Sequence, residues 1–499
     1  MWYRTTNLWT LKNMADNFIG KAHLRREIVI GAFHRLTEEQ NIRGNYVIIQ
    51  FIGDTLIPHD LYCTSYNKNG DKHTSRALIQ RIHQGKRGAN NVCAWAGHLA
   101  ECEVISSNLE TVSLSTIPSP DQNEQLPISI EKVHKEAKKH KLVVCVAPMY
   151  IYTDWKIMVT GIETWLALGA TKLVFPIQSI SRTSMEILRR YELKGIVITR
   201  PWPKWPVLSD TNPNGLVLSR GIEESHVNCL HFVKSFAEMV AFTDIDDMLI
   251  PPEPSKVTPG INVGLLEGLF KEHPQAGSLL FEHRDVQFVL PEEKANETLR
   301  SFNFRFLHNT KWKQNCFIWR MKTRVVVNAS RVDTVNMHET GIHRLGYVQI
   351  RVPCRKGHFY HLRHSYKNMA SNQWKLDMNP LSNMLDNQWQ RRLTDTFHDL
   401  SNITLEQSSI DSFEDLDQCV MKVTEEHFTL RVSRCMTPHV CFTRKATNST
   451  CVAADANYGF ARSGEDFIIA PLNTQLVNSA SNCDAPMPKF TSGSHFYLP

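Results

Sequence analysis

The run Met239–Pro252, MVAFTDIDDMLIPP, decides how the rest of the chain is read. Its first five residues, Met239 to Thr243, are mostly apolar and lead directly into three carboxylates, Asp244, Asp246 and Asp247. A short apolar run bounded by turn signals reads as a buried strand, and Pro251-Pro252 ends the stretch after the acids. The acids therefore sit where a strand of an α/β sheet emerges, and open α/β sheets bind ligands beyond the carboxyl ends of their strands. Three acids this close repel one another unless a cation or a proton lies among them. A hard divalent ion, Mn²⁺ or Mg²⁺, suits oxygen ligands and commonly keeps phosphate oxygens as partners. The same spacing also serves solvent-facing acidic loops, so the apolar run in front of it carries the argument.

Working upstream, strands and amphipathic helices alternate from Lys141 onward. Leu142–Ala147 (LVVCVA) reads as a strand ended by Pro148, Trp155–Leu168 as a helix, and Lys172–Ile177 as a second strand. Ser184–Tyr191 reads as a helix, Gly195–Thr199 as a third strand, and Glu223–Glu238 as the helix that feeds the acidic strand. Such alternation predicts a mostly parallel, Rossmann-like sheet covered by helices. Arg200–Pro206 (RPWPKWP) holds three prolines and is excluded from helix; its two tryptophans fill a hydrophobic corner or line a ligand surface. Downstream, Gly277–Phe281, Val286–Val289 and Lys322–Val332 predict further strands, and Leu385–Phe397 a helix.

The flanks are less regular. Residues 1–40 read as an irregular N-terminal segment, and 41–127 as a small β-rich module closed by the proline-containing linker Ser115–Pro127. The α/β domain is expected over 128–400, a C-terminal extension over 401–447, and a polar, partly disordered tail over 448–499.

A chain of 499 residues with 42% hydrophobic content supports several globular domains. A net charge of +6, with no block of Lys and Arg, argues against a nucleic-acid-binding arm and leaves room for a small anionic ligand. The twelve cysteines are widely spread and include no CxxC pair to suggest zinc or thioredoxin chemistry. Acceptor sequons stand at Asn296, Asn328, Asn402 and Asn448. No run of 18 apolar residues exists, and Met1–Phe18 lacks the apolar core of a signal peptide.

The ordered series KLVVCVAPMY, GIETWLALGATKLVFPI, MVAFTDIDDMLIPP, KTRVVVNASRVDTVNMHET and HLRHSYKN resembles glycosyltransferase family 92, over about Lys141 to Asn368. The resemblance implies a GT-A-like domain that inverts at the anomeric carbon and uses a metal-bound UDP-sugar. It implies transfer of galactose from UDP-galactose to a glycan acceptor on a glycoprotein, with fucose of the N-glycan core as the accepting sugar. It also implies a Golgi-membrane protein with a luminal catalytic domain; any membrane contact would come through an anchor this chain lacks.

Residue by residue, Asp244, Asp246 and His364 are expected to hold the Mn²⁺ or Mg²⁺, and Asp244 and Asp247 to meet the donor. Pro148, Met149 and Tyr150 are expected near the uridine. Inversion needs a base for the acceptor hydroxyl; Glu339, in the family-like MHET, is the first candidate, followed by Asp333 and Glu282. Where the family has an Arg-Asn-Gln-like helix start, this chain reads GIEESHVN from Gly221 to Asn228. A non-catalytic glycan-binding descendant of the fold is one alternative. A haloacid-dehalogenase-type phosphohydrolase is another, although Met248 stands where that motif carries Thr or Val.

Overall fold

The computed structural model describes residues 25–35, 44–83, 93–105, 108–131, 139–208, 210–289, 297–312, 322–364, 371–405, 450–479 and 483–491. One sheet takes from the N-terminal part the strands β1 (Arg26–Arg35), β2 (Asn45–Asp54), β3 (Leu78–Arg81) and β4 (Trp95–Val104). β1 departs from the irregular segment expected before residue 40. Its apolar core IVIGAF is short and flanked by charges, but neighbours on both edges bury it.

The α/β domain comes next. It contains β5 (His140–Val146), α1 (Trp155–Ala167), β6 (Lys172–Ile177), the short β7 (Ser179–Ser181), α2 (Arg182–Leu193) and β8 (Val197–Pro201). Beyond these lie α3 (Ile222–Val233), β9 (Ala237–Thr243) and β10 (Asp247–Ile250). α3 stops five residues short of the expected helix end, because Ala237 and Glu238 already belong to the strand. α4 (Ile261–Glu272), β11 (Ala276–Phe288), β12 (Thr323–Asn328), β13 (His358–His364) and α5 (Asn379–Asp395) complete it. The two strands expected at 277–289 are one continuous strand, β11.

The main path of this sheet runs β8-β6-β5-β9-β12-β11-β13-β10. β8, β6, β5 and β9 are mutually parallel, in the order third-second-first-fourth of a Rossmann-like half. β12 then enters antiparallel to both β9 and β11, so the sheet is mixed beyond the fourth strand. Apolar side chains of α1, α2 and α5 cover one face with Leu142, Val144 and Phe175. Val227, Leu230 and Val233 of α3 cover the other, over Val143, Val240 and Val325.

Within the tail expected to be polar and partly disordered, the described residues contain a long hairpin, β14 (Cys451–Ser463) with β15 (Asp466–Asn478). β15 pairs parallel to β1, and β14 pairs with β7, so segments from opposite ends of the chain build one sheet in the order β7-β14-β15-β1-β2-β4-β3. Its buried residues include Ala453, Ala454, Ala456, Ala461 and Ala470, small side chains that give the sequence little apolar signal. The expected linker Ser115–Pro127 also contributes structure: Leu126–Ile128 pairs with Leu109–Ser115 in a separate four-stranded sheet. Three disulfides lie among the described residues: Cys63–Cys102, Cys145–Cys229 and Cys451–Cys483. Trp202 and Trp205 fill a hydrophobic corner with Trp95, Val217 and Tyr458. The extension over 406–447 lies outside the described residues.

Candidate active site

In a doubly wound sheet the ligand crevice opens where the strand order reverses, here between β5 and β9. Pro148–Tyr150 leave β5 and Asp244–Asp247 leave β9 at that same end, and Ala147 N–H donates to Thr243 C=O at 2.9 Å. The two stretches are thus brought together on either side of the reversal. Met149 is tied to the end of β6, donating to Pro176 C=O at 2.9 Å. The Tyr150 hydroxyl donates to Arg220 C=O at 2.9 Å, and the Arg220 guanidinium lies 4.6 Å from the centre of its ring.

The acids divide by burial. Asp247 is fully buried, while Asp244 and Asp246 are half-buried. Asp247 begins β10, whose register sets Asp247 opposite His361 of β13, and β13 in turn sets His361 opposite Asp285 of β11. Three strands therefore deliver polar side chains to one spot. Asp247 receives Arg324 Nε at 2.6 Å and faces His283 Nε2 at 2.6 Å, and the same guanidinium pairs with Asp244. His361 Nε2 lies 3.0 Å from Asp246 and Nδ1 lies 2.8 Å from Asp285. The His283 and His361 rings stack at 4.7 Å.

Burial opposes the charge on Asp247, but Arg324 and the two histidines outweigh it and hold the carboxyl well below the usual range. Burial likewise works against a charged His361, yet Asp246 and Asp247 push it up to about 10. The cluster is thus an anionic site partly neutralised by an arginine and an imidazolium.

A hard divalent cation fits this donor set. Ligand atoms of Asp244, Asp246 and Asp247 lie within 4.8 Å of one another, as do those of Asp247, His283 and His361. Asp285 engages Nδ1 of His361, which leaves Nε2 towards Asp246, the carboxylate–histidine arrangement that orients metal-ligating imidazoles. His364 ends β13 with its backbone opposite Phe288, and its side chain lies outside the described residues.

The candidate bases differ in their surroundings. Asp333 is bound to Lys234 Nζ at 2.5 Å and faces Arg344 Nε at 3.4 Å; burial opposes its charge, but these cations hold it far below the usual range. Glu282 pairs with Arg284 and sits 3.5 Å from Arg351. Strand alternation puts it on the face of β11 opposite His283 and Asp285. Glu339 is half-buried, its backbone tied to Asn336, and it comes directly after His338, whose Nδ1 is 3.3 Å from Arg324. Sequence reasoning passed over His283, Asp285, Arg324 and His361. Their available signal was polar residues two apart on otherwise apolar strands, as in His283 and Asp285.

A Rossmann-like sheet with an acidic turn after its fourth strand, flanking the reversal point, defines a GT-A-like glycosyltransferase domain. The model of glycosyltransferase family 92 matches residues 140–406, more than half of the chain, and the chain belongs to that family. It is 30% identical over 191 residues to glycosyltransferase family 92 protein F13G3.3 of Caenorhabditis elegans, a match covering 36% of this chain and 35% of that one. It is 20% identical over 445 residues to family 92 protein ZK381.2 of the same organism, covering 83% and 82%. The first match therefore spans about a third of its relative's length. Among solved structures, S. aureus TarS 1–349 in complex with UDP-GlcNAc overlaps 52% of this chain and 74% of its own, at 10% identity and a TM-score of 0.26. That overlap is loose, and the fold assignment rests on the strand order.

Proposed function

We propose that this protein transfers galactose from UDP-galactose to a glycan on a glycoprotein, with inversion and with Mn²⁺ or Mg²⁺ as the bound cation. The observation that carries the reading is the Asp246–His361–Asp285 array beside the buried Asp247–Arg324 pair, at the reversal point of the sheet. Asp244, Asp246 and His361 would hold the cation, which as a Lewis acid supports the negative charge that develops on the leaving diphosphate. Asp285 fixes the ring of His361. Arg324 pairs with both Asp247 and Asp244 and so ties the acidic turn to β12. Pro148–Tyr150 would receive the uridine across the reversal point. Glu339 would take the acceptor proton, since Asp333 and Glu282 are both engaged by cations.

Three disulfides are consistent with an oxidising compartment, and a luminal Golgi location accords with them and with the sequons. Among the described residues no helix is long and apolar enough to cross a membrane.

Calorimetry of UDP with Mn²⁺ tests the donor site: wild type should bind, and Asp246→Asn, which removes one charge and little volume, should lose the metal-dependent affinity. Undiminished affinity in the variant would sink the assignment.

A further inference from the structure

Between the end of β5 and α1 lies a residue that the proposed transfer leaves without a task. The hydroxyl of Tyr152 is buried and has no hydrogen-bond partner among the described residues. Burial, then Asp154 and Asp246, push its ionisation well above the ordinary range, so it remains a protonated donor. A buried phenol left without an acceptor is destabilising by itself, and such groups call for an explanation in a bound partner or a functional role. Tyr152 follows the end of β5 by six residues, and β5 and β9 run parallel, so its loop leaves the sheet at the same end as the acids.

Its neighbour is strained. Ile151 has φ of 48°, a left-handed conformation that a β-branched residue adopts only where the surroundings enforce it. The enforcement comes from β7: Ile151 N–H donates to Ser179 Oγ at 2.8 Å, Tyr152 N–H to Ser179 C=O at 3.1 Å, and Ser181 N–H to Tyr152 C=O at 2.8 Å. β7 is itself paired with the C-terminal hairpin, Ser179 opposite Ala453 and Ser181 opposite Cys451. The Cys451–Cys483 bridge closes the arrangement, with Ile151 packed against it. A strained loop at the acid-bearing end of the sheet is thus pinned by residues from the far end of the chain, and it carries one unsatisfied donor.

We propose that Tyr152 donates a hydrogen bond to the diphosphate of the bound nucleotide sugar, and that the Cys451–Cys483 bridge positions it through Ser179 and Ile151. The inference rests on the proposed donor site. An anionic diphosphate supplies the acceptor that the phenol lacks, and a hydrogen bond to a charged group is among the stronger kinds.

Calorimetry of UDP with Mn²⁺ is again the measurement, with the full chain. Tyr152→Phe, which removes only the hydroxyl, should weaken UDP binding roughly 10–100-fold without lowering thermal stability. Equal affinity in variant and wild type would overturn the contact. A loss seen with UDP-galactose but absent with UDP would also overturn it, since the hydroxyl would then serve the sugar. Cys451→Ser combined with Cys483→Ser should weaken UDP binding too, and Tyr152→Phe should add little in that background, because both changes act on one contact. Fully additive losses would overturn the positioning role. Wild-type protein that binds no UDP would instead refute the donor site itself, so the two failures are distinguishable.

Discussion

Asp247 in the α/β sheet and Glu27 in the two-ended β sheet are both completely buried, yet their surroundings drive them in opposite directions. Around Asp247, burial is outweighed by Arg324, His283 and His361, and the carboxyl is held well below its usual range. Around Glu27, burial dominates; His59 at 3.1 Å and, more weakly, Arg25 only partly offset it, and the carboxyl is pushed up. One Glu27 oxygen has no partner among the described residues. Burial alone therefore says little about charge state, because the number and kind of cationic partners decide it. The fold sets buried cations where a charged ligand would be handled, and shifts the acid of the outer sheet towards its neutral form.

The sharpest way to break this contrast is to remove the anion that has the most partners. Asp247→Ala should destabilise the protein by about 3–5 kcal/mol, since it leaves the Arg324 guanidinium buried without its main counter-charge. Denaturant unfolding measures this, and a loss under about 1 kcal/mol would mean that the network does not hold the anion as described.

Glu224, on α3 between the two sheets, gives an intermediate case. Burial first, then the neighbouring Glu223, raise it to about 8. The folded state keeps this proton from the ordinary glutamate value of 4.5 up to about 8 while the unfolded state releases it, so stability falls as pH rises through that window. Glu224→Gln should remove this decline and gain on the order of 4 kcal/mol at pH 8 relative to wild type. Urea midpoints measured on either side of that window check it, and parallel pH profiles for the two proteins would contradict it.

The smallest effect is expected in the outer sheet. Glu27→Gln keeps the shape of the side chain and an oxygen that can accept from His59, so it should change stability at neutral pH by less than about 1 kcal/mol. Thermal melts of this variant beside Asp247→Ala set the two sheets against each other directly. A Glu27→Gln loss as large as that of Asp247→Ala would erase the contrast.

The acidic turn illustrates what was legible and what was not. Val240, Ala241 and Phe242 announced a buried strand with the acids at its carboxyl end, because strand periodicity acts over a few neighbouring residues. Among the described side chains the imidazole that meets Asp246 is His361, while that of His364, the expected ligand, lies outside them. Nothing local separates the two. The choice is made by the register of β13 against β10 and β11, which lines up Asp247, His361 and Asp285 across three strands. Arg324 was passed over for the same reason, since its partners Asp244 and Asp247 lie 80 and 77 residues away.

The ends of the chain make the same point for the fold. The polar, alanine-rich stretch after Asn448 carries too little apolar contrast to declare itself a hairpin, and it becomes one by completing a sheet begun at Arg26. By itself the sequence determined the alternating α/β core, the family and the position of the acids, all set by side-chain periodicity and local chain stops. The tertiary structure alone decided which imidazole and which guanidinium serve those acids, and that the C-terminal hairpin pins the loop bearing Tyr152. Those contacts depend on strand register and on the joining of distant segments, and no short window of residues contains either.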